Sequence, residues 1–520
     1  MTTAHNDDVV GTCCIVLHTH LPWVAHAGAW PVGEEWLHQA WSGSYLPIVA
    51  MLDRLATEGR RDLLTIGVTP VLAAMLDDPY CLREFHTWLG TWQTRAALLW
   101  SQHAVGGNGA PLRELAAYEH GLAERALAEF ERQWRHGGSP VLRRLSDAGV
   151  IEILGGPATH AFQPSLDDRL VAASLRIGQD DAVLRRGSRP AGLWAPECGY
   201  RPGLEEHYAD AGLTHFVVDG PTLLAAVESP TATALMHYVG SSDVVAFARD
   251  LDVTYRVWSP RSGYPAGRWY RDFHTFDHPT GLRTARVTST RTPPAEKHPY
   301  DPEAVTVAVA RDARDFVETV RGRLAAVRAE TGRAGVVVVA YDTELFGHWW
   351  HEGPAWLETV LRLLPEAGVR LSTLRTHLER ADPARVDLGP GSWGSGKDAR
   401  VWTGDAVADV VAESGALAQR TLDVVDKTLR PGAARSFAAD QMVREALLAL
   451  SSDWAFCITK DVAAEYARRR FTGHVSRFTA LADALAAAHD ETASSLAARW
   501  RELDGLFGHL DARLLARTAD

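Results

Sequence analysis

Residues 335–350 read GVVVVAYDTELFGHWW, and this stretch limits the possible folds more than any other. Val336 to Val339 form an unbroken β-branched run, too short for a helix and too apolar for an edge strand. Such a run predicts a central strand buried on both faces, the usual condition of a parallel sheet. The run stops at Tyr341-Asp342-Thr343-Glu344, so two carboxylates arrive where the strand ends. Side-chain alternation predicts Asp342 and Glu344 on one side and Thr343 on the other. In α/β barrels the C-terminal strand ends carry the chemistry. His348, Trp349 and Trp350 follow directly. A lone Asp at such a junction would read as solvated loop; acid, imidazole and indole together read as a site.

The pattern recurs along the chain. Residues 9–17 (VVGTCCIVL) form an apolar run ending in His18-Thr19-His20-Leu21-Pro22-Trp23, which puts both histidines on one side of a strand end. Paired histidines suit a metal or a polar substrate. Third and fourth ligands do not form a tight motif, so substrate contact ranks first. Strands are also predicted at 62–68, 150–154 and 214–218, and polar residues again stand at their ends, including His160 and Asp219. Glu197, in GLWAPECGY, directly follows Pro196, whose ring stiffens the backbone around it. Residues 220–250 read as loop with short elements, and the aromatic, Gly/Pro-broken segment through Trp269 reads as a binding wall.

Strands alternating with helices through residue 375 predict a parallel α/β barrel or a doubly wound sheet. The helical spacing at 79–140, broken by a glycine-rich stretch at 106–111, is too long for a crossover and predicts an inserted subdomain. Past Pro390-Gly391-Ser392 the apolar period is 3.6 residues to the end. The expected organisation is a barrel over 1–392, with the insertion at 79–140, and a helical domain over 393–520.

Composition narrows the partners. A formal net charge of −12 argues against nucleic acid or an anionic membrane, since both need a basic face. Tryptophan is in excess, 18 against 14 Phe and 12 Tyr, and many lie in polar, glycine-rich stretches, where flat rings suit sugar faces. Five cysteines without a C-x-x-C pair, an acidic N-terminus and no membrane-length apolar run predict a cytoplasmic protein. Two carboxylates, three histidines and many indoles at strand ends point to glycoside chemistry, in which one acid attacks the anomeric carbon and the other moves the proton.

At HTHLPW (18–23), GPATH (156–160), WAPECGY (194–200), YDTELFGHWW (341–350) and SSDWAF (451–456) the chain resembles glycoside hydrolase family 57, close to its α-1,4-glucan branching enzymes. The resemblance implies a (β/α)7 barrel with a helical insertion and a C-terminal all-helical domain, and a retaining mechanism without metal or other cofactor. It implies Glu197 as nucleophile and Asp342 as general acid/base. His18, His20 and His160 would line the donor sugar subsite, and Trp36, Trp269, Trp349, Trp393 and Trp402 would hold the chain. Asp453 lies in a block expected to pack on the barrel and close the cleft. Branching members carry a cleft-covering loop tyrosine before the Trp269 segment; that interval is short here, and Tyr238 is the candidate. The implied partner is an α-1,4-glucan, the implied assembly a monomer or small homo-oligomer. Rival readings are an α-amylase or 4-α-glucanotransferase, a metal-dependent polysaccharide deacetylase, and a non-catalytic glucan-binding protein.

Overall fold

The computed structural model describes residues 9–103, 110–259, 262–380, 382–429 and 433–517. The glycine-rich break at 106–109 lies outside them.

Ten strands form one sheet: β1 (Gly11–Thr19), β2 (Leu64–Val68), β3 (Ile151–Leu154), β4 (Gly192–Leu193), β5 (His215–Asp219), β6 (Met236–Val239), β7 (Val245–Arg249), β8 (Val336–Asp342), β9 (Val369–Leu371) and β10 (Ala384–Val386). Parallel pairing runs β8–β1–β2–β3, passes to β4 through a bridge between Gly155 and Leu193, and returns through β5 and β7 to β8. The result is a nearly closed (β/α)7 barrel. Outside the ring, β6 runs antiparallel to β7 and carries β10, and β9 pairs with the start of β1.

The valine run of β8 and all of β1 are buried, as a doubly covered parallel sheet requires. Their register pairs His18 with Asp342, so the polar ends of both strands emerge together at one mouth. The helix Val305–Thr331 feeds β8 and buries Val309, Ala313, Phe316, Val320, Leu324 and Val327 at helical spacing. Each large side chain among them contributes about 1.5–3 kcal/mol by leaving water.

In the insertion, helix Pro79–Gln102 starts with Asp78, whose carboxylate accepts the N–H groups of Tyr80 and Cys81, and packs on helix Ala110–Glu129. The chain from Ala408 is helical, with helices Ala408–Thr428, Phe437–Ala449, Ser452–Thr459, Ala464–Ala486 and Asp490–Arg501. It reaches back to the barrel mouth through backbone contacts: Ala161 bridges Ser451, and the Ser452 N–H donates to the His160 carbonyl at 3.1 Å.

The stretch 220–250 departs from its reading as loop, since it contains β6 and β7. Arg249 and Asp250 interrupt the apolar signal because they are satisfied internally, by Asp219 and Arg323 respectively.

Candidate active site

A cavity of about 760 Å³ opens at the C-terminal strand ends, and Glu197, Asp342 and Glu344 all line it. β8 ends at Asp342, and the chain then turns into a single 3-10 turn, Thr343–Leu345. Alternation therefore stops at Asp342, yet Glu344 still faces inward because the Tyr45 hydroxyl donates to it at 2.5 Å and the His20 N–H at 3.3 Å. Thr343 points elsewhere, to the Thr19 hydroxyl at 2.7 Å.

Glu197 follows β4 with φ 62° and ψ 21°, and Cys198 and His160 also have positive φ. Side-chain-bearing residues occupy this left-handed region at a cost of about 1–3 kcal/mol each, and such residues cluster at functional sites. Both Glu197 oxygens are held: the Ser452 hydroxyl donates to Oε1 at 2.7 Å and Trp393 Nε1 donates to Oε2 at 2.7 Å. Burial pushes the Glu197 carboxyl up to about 7, against the pull of these two donors. Burial also raises Asp342, to about 6, opposed by the nearby charges of Arg249 and His20. Burial pushes Glu344 to about 8, opposed by the Tyr45 hydroxyl.

Four rings form a stack beside the acids. His20 lies on His160 at 3.8 Å, His160 on His18 at 4.9 Å, and His18 on Trp194 at 4.5 Å. Burial holds His18 and His160 well below the usual imidazole range, so both are neutral. Despite burial, His20 is raised by the Asp453 carboxylate, 2.9 Å from its Nε2. Among the described residues, both ring nitrogens of His18 and Nε2 of His160 are buried without a hydrogen-bond partner. Buried polar groups are rarely left so.

Ligand atoms of His20, His160 and Asp453 lie within 4.8 Å of one another, a spacing a metal ion could bridge. The imidazole planes of His20 and His160 are stacked only 23° apart, however. Nitrogen lone pairs lie in the ring plane, so here they run side by side instead of converging on one ion.

Of the residues singled out in the sequence, His18, His20, Trp36, His160, Glu197, Asp342, Trp349, Trp393 and Asp453 come together at this cavity. Three do not. Trp402 is buried and stacks on Phe162 at 5.2 Å, because the short helix Arg400–Thr403 turns it into the core. Trp269 lies off the cavity, its ring approached by the guanidinium groups of Arg268 and Arg286 at 4.8 and 4.3 Å. Tyr238 sits on β6, at the outer branch of the sheet, under the Arg385 guanidinium at 5.1 Å. The tyrosines that line the cavity among the described residues are Tyr341, in β8, and Tyr255, on helix Leu251–Trp258 beside Trp258. Ser452, Arg249 and Lys397 also escaped the sequence reading. Asp219 at the end of β5 holds the last two, at 2.8 and 2.7 Å. The one sequence signal for Ser452 was its place in the SSDWAF block.

A family model described as "Glycosyl hydrolase family 57" matches residues 14–389. The chain belongs to glycosyl hydrolase family 57. A second model, "1,4-alpha-glucan branching enzyme, C-terminal", matches residues 415–515. Among family 57 relatives, a Mycobacterium tuberculosis protein described as a probable 1,4-alpha-glucan branching enzyme is 51% identical over 527 residues, covering 98% of this chain and 99% of its own. The crystal structure of a family 57 branching enzyme from Thermococcus kodakaraensis superposes with a TM-score of 0.92 at 30% identity, covering 98% of this chain and 97% of that one. The α-amylase AmyC from Thermotoga maritima gives 0.87 at 27% identity, covering 98% and 100%. Family 57 membership thus spans the barrel, and the branching-enzyme likeness extends into the C-terminal helices.

Proposed function

We propose that this chain is a 1,4-alpha-glucan branching enzyme. The observation that carries the reading is the 51% identity, over nearly the full length of both chains, with the Mycobacterium tuberculosis relative of that description. Glu197 attacks the anomeric carbon of an α-1,4-linked glucose while Asp342 protonates the departing glycosidic oxygen. The Asp342 carboxylate then takes the proton from a glucose 6-hydroxyl as that oxygen displaces Glu197, giving an α-1,6 branch with retained configuration. Each Glu197 oxygen has a second lone pair beyond the one engaged by Ser452 or Trp393, so the donors orient the carboxylate without blocking attack. Neutral His18 and His160 offer unpaired nitrogens to the donor sugar, and Trp36, Trp349 and Trp393 supply flat walls.

The outcome depends on what reaches the glycosyl-enzyme. The exposed rings of Tyr255, Trp258, Trp349 and Phe456 line the cavity and favour a sugar acceptor over water. Hydrolysis, the activity named for AmyC, is the rival outcome, and the greater likeness to branching enzymes does not favour it. Five free, buried cysteines are in keeping with a reducing, cytoplasmic setting. Incubation with amylose, following 1,6-linkages and reducing ends together, tests the proposal. New 1,6-linkages with few reducing ends are expected; reducing ends alone would replace it with hydrolysis.

A further inference from the structure

A second cavity, of about 810 Å³, lies between the inserted helices and the barrel. It shares His348 and Trp349 with the catalytic cavity and reaches none of the residues placed in the chemistry above except Trp349. Its size is that of a small-molecule site.

The charges of its wall are unevenly satisfied. Four glutamates line it, and each already has donors. Glu35 accepts from Gln39 and Trp88 Nε1, and Glu119 from Trp92 Nε1 and Arg271. Glu129 accepts from Arg132 and Gln133, and Glu358 from Arg54 and Arg362. Arg283 donates to the Phe273 carbonyl at 2.8 Å, and burial beside Arg271 lowers it to about 10.

Arg95 and Arg125 remain. Among the described residues neither is hydrogen-bonded or ion-paired, and the Nε of Arg95 is buried without an acceptor while its guanidinium lies over Trp88 at 5.0 Å. A guanidinium cannot shed its proton, and the nearby charges of Glu35 and Glu119 only partly offset the burial of Arg95. Among the described residues the cavity thus has one partly buried guanidinium whose Nε lacks an acceptor, Arg95, and one exposed guanidinium, Arg125, in a chain of formal charge −12. A neutral sugar would hydrogen-bond to them but supply no counter-charge; a phosphate or carboxylate meets the guanidinium fork in a bidentate geometry. Trp92 and Trp349 give the same cavity aromatic walls of the kind that pack on pyranose rings.

We propose that this cavity is a second binding site, for an anionic sugar whose phosphate or carboxylate is held by Arg95 and Arg125 while its ring packs between Trp92 and Trp349. Because Trp349 also lines the catalytic cavity, occupancy here sets the position of one wall of the glucan track. The inference stands apart from the branching reading, and its test does not involve turnover.

The test is calorimetric titration of the full-length protein with glucose 6-phosphate, glucuronate, glucose and inorganic phosphate. At least one of the two anionic sugars is expected to bind about tenfold or more tightly than glucose or inorganic phosphate, and to weaken as salt rises. Comparing the two anionic sugars tells which acid group the site takes. Arg95→Gln and Arg125→Gln should each weaken binding by about fivefold or more. Glu197→Gln, in the other cavity, should leave it within about twofold. Arg125 is exposed, so its variant keeps the test sound even if Arg95→Gln folds poorly. The proposal is overturned if glucose matches both anionic sugars, if inorganic phosphate binds as tightly as they do, or if their preference survives in the Arg125 variant.

Discussion

Replacing Ser452 with alanine removes one of the two donors that favour the ionised form of Glu197, and the proposed mechanism fixes both the size and the pH signature of the loss. Burial alone favours the neutral carboxyl; Ser452 at 2.7 Å and Trp393 at 2.7 Å oppose it. With Glu197 near 7 and Asp342 near 6, the pair shares a proton between about pH 6 and pH 7. The productive arrangement, with Glu197 ionised and Asp342 protonated, then accounts for roughly one in ten singly ionised molecules before substrate binds. A hydrogen bond to a charged group contributes about 1.5–3 kcal/mol, equivalent to roughly 1–2 pH units on Glu197. The productive fraction, and kcat/KM with it, should fall about 10- to 100-fold, nearer the lower figure because Trp393 still donates. The higher pKa of the pair follows Glu197, so the alkaline limb of the profile should move to higher pH as the rate falls. Branching of amylose, measured as 1,6-linkages from about pH 5 to about pH 9, reads both effects. Ser452→Thr, which keeps the hydroxyl, should restore the wild-type limb. A rate within about twofold of wild type, or a fall with the alkaline limb unmoved, would refute the reasoning.

Trp393→Phe keeps the ring but loses the Nε1 donor, so it should shift the alkaline limb in the same direction; in combination with Ser452→Ala the losses should not add, which a double-mutant cycle would measure. Glu197→Gln should reduce transfer to background while amylose binding, followed by calorimetry, persists; near-normal turnover would remove Glu197 as nucleophile. Gly347 has φ 113°, and a Cβ there would lie 1.7 Å from the Gly43 carbonyl oxygen. Gly347→Ala should therefore cost about 2–4 kcal/mol and displace Trp349, seen as a lower Tm and a raised KM for amylose. Asp219→Asn leaves Arg249 and Lys397 without their buried counter-charge and should cost about 3–5 kcal/mol, read as a lowered denaturant midpoint.

The barrel was legible where strands are long and uniform. The valines of β8 and the run in β1 have no alternative to a doubly covered sheet, and the acid and histidines at their ends follow from where those runs stop. β4 has only two residues, yet the short apolar run from Gly192 reads as a strand that delivers Glu197 directly after Pro196. β6 and β7 were missed because they are short, and because Arg249, at the end of β7, is a buried cation whose partner Asp219 lies 30 residues earlier. The indoles misled for a related reason. A polar, glycine-rich neighbourhood suggested exposure for Trp402, but the chain turned it onto Phe162 in the core. Local composition cannot distinguish a ring that faces a cleft from one that covers another ring.

The deepest omission is physical as well as informational. Glu197 lies 196 residues from Trp393 and 255 from Ser452, so no local motif could reveal what holds its oxygens. Both donors lie beyond β10, which ends at Val386, as does Asp453, whose carboxylate raises His20. The strand ends supply the two acids in a place dry enough to favour their neutral forms. The segments after the barrel supply the two donors that oppose this burial at Glu197. Docking of the C-terminal helices therefore bears on the proposed chemistry as well as on stability: a barrel without them would keep its carboxyl groups at the cavity and lose Ser452, one of the two donors that favour the ionised form of the proposed nucleophile Glu197.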